Sequence, residues 1–230
     1  MTNHQMKTRL GKRLSALFNC IPPETNYLYD LCCDHGAIGR AVLETHKQCH
    51  VVFNDIHPDI MSRLATLLHS FNASNYSLSV CPAEQLQPLS SKRSTIILAG
   101  VGDEQCIRIL RHLSAIPSLK QAHFIISPAT KVQKVRRYLK QNGAKLICES
   151  TITENNRTYE IIEVSFDTLI EHRPISEFGY CWSSEDPTHQ THLKKLITFY
   201  SAQRNTALNK EYERISLAYK KILEKISLSG

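Results

Sequence analysis

Residues 27–45 read YLYDLCCDHGAIGRAVLET. An apolar run closes on Asp30, a short loop of small residues follows, and from about Gly36 the spacing becomes helical. That order describes the first strand, loop and helix of an α/β nucleotide fold, and a ligand belongs in the loop. Asp30 can receive a cation or an amine at the strand end. Gly36 and Gly39 would let the backbone approach that ligand at the positive end of the helix. The glycine spacing is not GxGxxG, and an acid closing the first strand points away from a pyrophosphate. It favours a ligand carrying positive charge, such as S-adenosylmethionine with its sulfonium and amino group. Cys32, Cys33, Asp34 and His35 are ligand-type residues, but neighbours in extended chain point to opposite faces, so no metal is expected there.

Further along, HVVFND (50–55) is a second apolar run ending in an acid, ahead of a helix through Ile60, Leu64, Leu67 and Leu68. A carboxylate at the Asp55 position can accept both ribose hydroxyls of an adenosine, or it can cap the helix. Tyr76–Val80 is a short third strand, and Glu84 follows it where a carboxylate could reach an adenine amino group. STIILA (94–99) is an apolar fourth strand. After it, Gly100 and Gly102 give clearance beside a reacting atom, and Asp103 and Glu104 open a helix. AHFIIS (122–127) is a fifth strand stopped by Pro128, and Lys131–Lys140 a basic helix. The runs 145–153 and 158–166 alternate around Glu154-Asn155-Asn156-Arg157, as an antiparallel hairpin does. The fold class is therefore α/β: a Rossmann-like class I methyltransferase plan with a mostly parallel seven-stranded sheet, a closing hairpin and a helical C-terminal appendage.

Composition sets the outer bounds. The chain has 230 residues, 42% hydrophobic and 21% charged, enough for one good core and a small appendage. No apolar run reaches the ~20 residues that span a bilayer, and no secretory signal is visible, so a cytoplasmic protein is expected. Eight cysteines without CxxC spacing read as reduced thiols. Of the net +7, residues 1–20 carry +4 and residues 191–230 carry +5, leaving −2 for the body. A near-neutral body with basic extremities suits a polyanion-binding enzyme; solvated helix faces would look similar. Lys7, Arg9, Lys12 and Arg13 lie around an amphipathic helix over 6–20, and Lys194, Lys195 and Arg204 lie in the tail. Residues 1–167 form the expected catalytic domain, 168–190 a connector packed by Phe178, Tyr180 and Trp182, and 191–230 the appendage. In that tail Leu193, Ile197, Tyr200, Leu208, Tyr212, Ile215, Tyr219, Ile222 and Ile226 recur at spacings of three and four, broken at Arg204-Asn205. The stripe suits one long helix, a helical hairpin or a dimer seam.

The succession DLCCDHGAIG, NDIHPD, TIILAGVGDE, IISP and ENNRTYEIIEV resembles the bacterial tRNA (adenine-22 N1)-methyltransferase family, class I enzymes that use S-adenosylmethionine. The likeness runs through nearly the whole chain. Its most specific pieces are Asp34-His35, matching the family's SDH segment, the leading Lys12-Arg13-Leu14, and Tyr159-Glu160. Where the family has GMGG this chain has Gly100-Val101-Gly102-Asp103, and where it has glutamine-proline-asparagine this chain has Ser127-Pro128-Ala129. The resemblance implies a cofactor wall of Asp30, Cys32, Gly36, Asp55, Ile56, Ala83, Glu84 and Gly100. It implies a target-base pocket at Gly102, Ser127 and Pro128, and tRNA held by the basic ends.

The implied chemistry is transfer of a sulfonium methyl to N1 of an adenine, whose lone pair needs no prior deprotonation. Alignment of nucleophile, methyl and sulfur then dominates. The methylated base is cationic, so a nearby carboxylate would favour the transition state over the substrate. Asp34 is the first candidate and Asp103 the second, with His35 orienting Asp34 or touching substrate. A base in a duplex must be flipped out to reach the pocket. Two other classes fit the same residues: a small-molecule or protein methyltransferase, and a non-catalytic RNA-binding relative.

Overall fold

The computed structural model describes residues 8–89, 93–169, 171, 173–203 and 208–228. The elements follow in the expected order: α1 (Lys12–Asn19), β1 (Tyr27–Leu31), α2 (Ala37–Thr45), β2 (His50–Asp55), α3 (Pro58–Ser70), β3 (Tyr76–Val80) and β4 (Ser94–Ala99). After these come α4 (Asp103–Ala115), β5 (His123–Ser127), α5 (Val132–Gln141), β6 (Lys145–Glu154), β7 (Arg157–Ser165), β8 (Arg173–Pro174), α6 (Pro187–Ala202) and α7 (Asn209–Leu228).

The strands form one sheet in the order β3-β2-β1-β4-β5-β7-β6-β8. β1 to β5 are parallel, while β7 pairs antiparallel with β5 and β6. The order reverses between β1 and β4, so a crevice opens at their carboxyl ends, where ligands bind in sheets of this kind. Strand alternation divides the core. Tyr29, Leu31, Ile96, Leu98, Phe124 and Ile126 pack with α4 and α5 on one face. Leu28, Val51, Phe53, Ile97 and Ile125 pack with α1, α2 and α3 on the other, as the two-residue period requires.

Several expectations need correction. The sheet has eight strands, not seven, because Arg173 and Pro174 pair with Leu146 and Lys145 at its edge, a place where a proline's missing N–H is tolerated. The first helix starts at Lys12, not near residue 6. Before it, Thr8 donates its N–H and hydroxyl to Glu44 on α2, which holds the chain out of helix; Met6 and Lys7 lie outside the described residues. Gly36 and Gly39 are also required by packing: a Cβ on Gly39 would lie 2.3 Å from the Phe53 ring, and one on Gly36 within 2.9 Å of Phe53 and Leu64.

The C-terminal stripe is split between α6 and α7, which share a core of Leu193, Tyr200, Tyr212, Ile215, Tyr219 and Ile226. The seam is thus closed within the chain, and Leu208, expected in it, is exposed. α6 begins inside the expected connector, where Asp186 caps it by accepting the Thr188 N–H at 2.8 Å. Phe178 meets Tyr219 edge-on at 5.3 Å, whereas Tyr180 is exposed beneath the Arg173 guanidinium. No described helix is long and apolar enough to cross a membrane.

A buried ion cluster joins the sheet to this appendage. Arg136 of α5, in the stretch read as a basic helix, is fully buried. It donates to Glu160 of β7 at 2.8 Å and to Glu149 of β6 at 2.7 Å. His192 of α6 reaches within 3.9 Å of Glu160, and Glu149 also accepts the Tyr180 N–H. Burial works against the charge on Arg136, but the two carboxylates outweigh it and raise its pKa.

Candidate functional site

The β1–α2 loop is wound tightly. Cys32, Asp34 and Gly36 all have left-handed φ, of 52°, 51° and 62°, a conformation that costs about 1 kcal/mol or more for a non-glycine residue. It is held by Cys33 N–H to the Asn54 carbonyl at 3.0 Å, Gly36 N–H to the Cys33 carbonyl at 2.8 Å, and Asp34 N–H to Asp55 Oδ2 at 3.0 Å. The loop wraps one side of a cavity of about 390 Å³, lined by Asp30, Cys32, Asp34 and His35. Gly100 and Arg13 line it as well.

Asp30 is buried and accepts one hydrogen bond, from the Gly39 N–H at 3.0 Å. Burial pushes its carboxyl up to about 7. Asp55 differs. Burial works to raise its pKa, but hydrogen bonds from His57 Nδ1 at 2.7 Å, the Asp34 N–H and the His57 N–H hold it below the usual range. Three donors leave one of its roughly four acceptor sites open. Glu84 Oε1 takes Gln105 and Arg108, while Oε2 is buried without a protein partner. The Cys32 thiol is raised to about 11, first by burial and then by Asp55, Glu84 and Asp30, so it stays protonated among three converging carboxylates. Ile56 beside Asp55 is 54% exposed, and Ala83 is buried.

Gly100 has φ +84°, and its N–H donates to the Ser127 carbonyl at 3.0 Å, which sets the cavity floor beside β5. Ser127 is fully buried, and its hydroxyl finds no partner in the protein. The Ala129 N–H donates to the Val101 carbonyl at 2.7 Å, fixing the chain across Pro128. Asp34 and His35 stand at the rim, both about two-thirds exposed and 3.6 Å apart. Asp103 does not line the cavity. Thr130 donates to its carboxylate at 2.6 Å and accepts its N–H, and Lys134 lies 3.4 Å away, so Asp103 fastens the start of α4 to the segment after β5. Gly102, the residue before it, faces Thr130.

The basic residues separate into two groups. Arg9, Lys12, Lys194 and Lys195 are exposed, and Lys195 donates to the Asn156 carbonyl at the β6–β7 turn. α1 meets the same hairpin, through the Arg13 N–H and Glu154. Lys7 and Arg204 lie outside the described residues. Arg13, grouped by sequence with the exposed cations, turns inward over the Tyr159 ring at 4.3 Å and donates to the Ser127 carbonyl at 3.2 Å. Arg157 stands 5.1 Å from the same ring and donates to the Ala129 carbonyl. Sequence reasoning missed Arg157 and the inward turn of Arg13; the cue was the pattern Arg157-x-Tyr159, which puts both side chains on one face of a strand.

Charge and shape fit an adenosine derivative bearing positive charge. Among the described residues Asp30 lacks a cation and Glu84 has an orphaned buried oxygen, and a side chain at Gly100 would project toward the Arg13 guanidinium at 3.7 Å. A mostly parallel sheet closed by an antiparallel hairpin, with acids at the ends of β1 and β2, defines a Rossmann-like methyltransferase. The methyltransferase domain family matches residues 10–162, and the chain belongs to it. A Mycoplasma pneumoniae protein provisionally named a tRNA methyltransferase is 23% identical over 160 residues, 67% of this chain and 71% of its own length. M. capricolum TrmK, solved with the cofactor product S-adenosyl-homocysteine, superposes with TM-score 0.76 at 15% identity, covering 94% of this chain and 99% of that one. The B. subtilis m1A22 tRNA methyltransferase TrmK gives 0.66 at 16% identity over 96% and 99%. At these identities the structural likeness bears on the fold.

Proposed function

We propose that this protein is an S-adenosylmethionine-dependent tRNA methyltransferase acting on N1 of an adenine, adenine 22 by likeness to its relatives, in the cytoplasm. The observation that carries the reading is the set of carboxylates from the ends of β1 and β2 and the segment after β3 that act together on Cys32 in the cavity wall: buried Asp30, Asp55 with an open acceptor site, and Glu84 with an oxygen unpartnered among the described residues. Asp30 would hold the amino group of the cofactor, Asp55 a ribose hydroxyl and Glu84 its adenine amine, with Cys32, Ile56, Ala83 and Gly100 completing the wall. Bound there, S-adenosylmethionine supplies a methyl on a sulfonium. Asp34 faces the cavity from the rim, where its carboxylate would favour the positive charge that develops on the base. His35, 3.6 Å from it, would orient it. The Gly100–Gly102 and Ser127–Pro128 segments would receive a flipped base.

Residues 1–167 would form the catalytic domain, 168–190 the connector and 191–230 the RNA-holding appendage. The exposed cations Arg9, Lys12, Lys194 and Lys195 would meet phosphates. The test is incubation with methyl-labelled cofactor and total tRNA, followed by nucleoside analysis. Label is expected in 1-methyladenosine; a labelled nucleoside of another kind, or none, overturns the reading.

A further inference from the structure

Among the described residues, Arg13 is a cation whose side chain makes no ion pair with an acid. Its guanidinium is half-buried, and its hydrogen bond to a described residue goes to a neutral carbonyl, that of Ser127. Nε is buried with no partner. Glu154, an acid near enough to act on its charge, is used by the Arg13 backbone N–H at 3.3 Å. Burial accordingly lowers the Arg13 pKa, with Tyr159 and Glu154 offsetting only part of that effect. A buried charge is expensive to leave unpaired, yet the site is built to keep this one: Tyr159 supports the guanidinium plane, and Arg157 stacks near that ring while pinning the Ala129 carbonyl.

The same cavity holds the opposite case. Asp30 lines it with, among the described residues, one neutral donor, the Gly39 N–H, and no cation. The lining of one cavity of about 390 Å³ therefore offers a lone positive group and a lone negative group, together with apolar Leu14, Ile38 and Ile97. An α-amino acid zwitterion carries the complementary pair. A phosphate would satisfy Arg13 alone and would lie against Asp30, where like charge disfavours it.

We infer that Arg13 binds the carboxylate of the amino acid end of S-adenosylmethionine while Asp30 takes its ammonium, making α1 part of the cofactor site. A guanidinium fork matches a carboxylate with two parallel donors, which a lysine cannot do. Both charges survive methyl transfer, so the homocysteine product is held by the same two groups. The inference rests on the cofactor assignment above and is independent of which RNA is methylated.

Calorimetric titration tests it with S-adenosylmethionine and S-adenosyl-3-(methylthio)propylamine, the same sulfonium without the carboxylate. The native protein is expected to prefer the former by about 10- to 100-fold, the range for a charge-assisted hydrogen-bonded pair. In Arg13→Met that preference should collapse through loss of S-adenosylmethionine affinity alone, and Arg13→Lys should keep an intermediate preference. Equal weakening of both ligands in Arg13→Met, a preserved preference in either variant, or no preference in the native protein overturns the inference. So does an Arg13→Met protein that binds both ligands normally and loses only affinity for tRNA. Failure of the native protein to bind either sulfonium would instead sink the cofactor assignment, and this inference with it.

Discussion

Two arginines that turn inward in this chain sit in opposite electrostatic circumstances. Arg136 is surrounded: two carboxylates within 2.8 Å, a histidine nearby and full burial. Arg13 and Asp30 share a cavity, and each lacks an oppositely charged side-chain partner among the described residues. A closed ion cluster ties elements together, while an open pair of opposite charges marks a place for something that carries both. The contrast separates architecture from binding without reference to position in the chain.

The largest expected effect falls on the closed cluster. Arg136→Ala leaves Glu149 and Glu160 buried without their cation and should cost about 3–5 kcal/mol of unfolding free energy, measured by urea denaturation. A loss below about 1 kcal/mol would mean that water or rearrangement satisfies the acids, and the contrast with Arg13 would dissolve.

The open pair should respond in the other direction. Asp30 has its pKa raised from 3.8 to about 7, so the folded protein holds the proton more tightly than the unfolded chain. Its unfavourable contribution is absent at low pH, grows as pH rises from about 4 and is complete above about 7. Asp30→Asn should therefore be more stable than the native protein at pH 8 without ligand, and equal to it near pH 4, in thermal unfolding. The same substitution should weaken cofactor binding at least tenfold. In the native protein, cofactor affinity should fall below pH 7 by up to about tenfold per unit, because binding an ammonium requires the ionised acid. A variant less stable than the native protein at pH 8 would show that Asp30 is structural.

The smallest effect should come from charges facing water. Replacing Lys12 and Lys194 by alanine should leave stability nearly unchanged and lower the slope of tRNA affinity against salt by about 2, one unit for each phosphate no longer neutralised. An unaltered slope would remove both residues from the RNA surface.

The course of the chain was readable because apolar runs ending in acids are local: YLYDL and HVVFND each reveal a strand and its terminal carboxylate within six residues. The tail's heptad-like spacing and its break in sequence left one long helix, a hairpin and a dimer seam open, and only the shared core of α6 and α7 decides for two helices. What escaped depends on distant partners. Gly39 looks like a ligand-facing glycine until Phe53 from the next strand is seen filling its place. Arg136 looks solvated until Glu149 and Glu160 arrive from two strands further on. Asp103 has the sequence of a cap or a catalytic acid, and only Thr130 and Lys134, across β5, disclose what it holds. β8 is two residues long, too short for any periodicity.

The β6–β7 turn is a pair of asparagines, Asn155 and Asn156, both left-handed with φ of 50° and 60°, the geometry of a tight two-residue hairpin. Exposed turns of this sort ordinarily drift in length between relatives. Here Glu154 meets the start of α1, Asn156 meets Lys195, and Arg157 and Tyr159 brace Arg13. One inserted residue would shift all of these positions together, so the turn should be as invariant in length as a catalytic loop even though its tip is bathed in solvent.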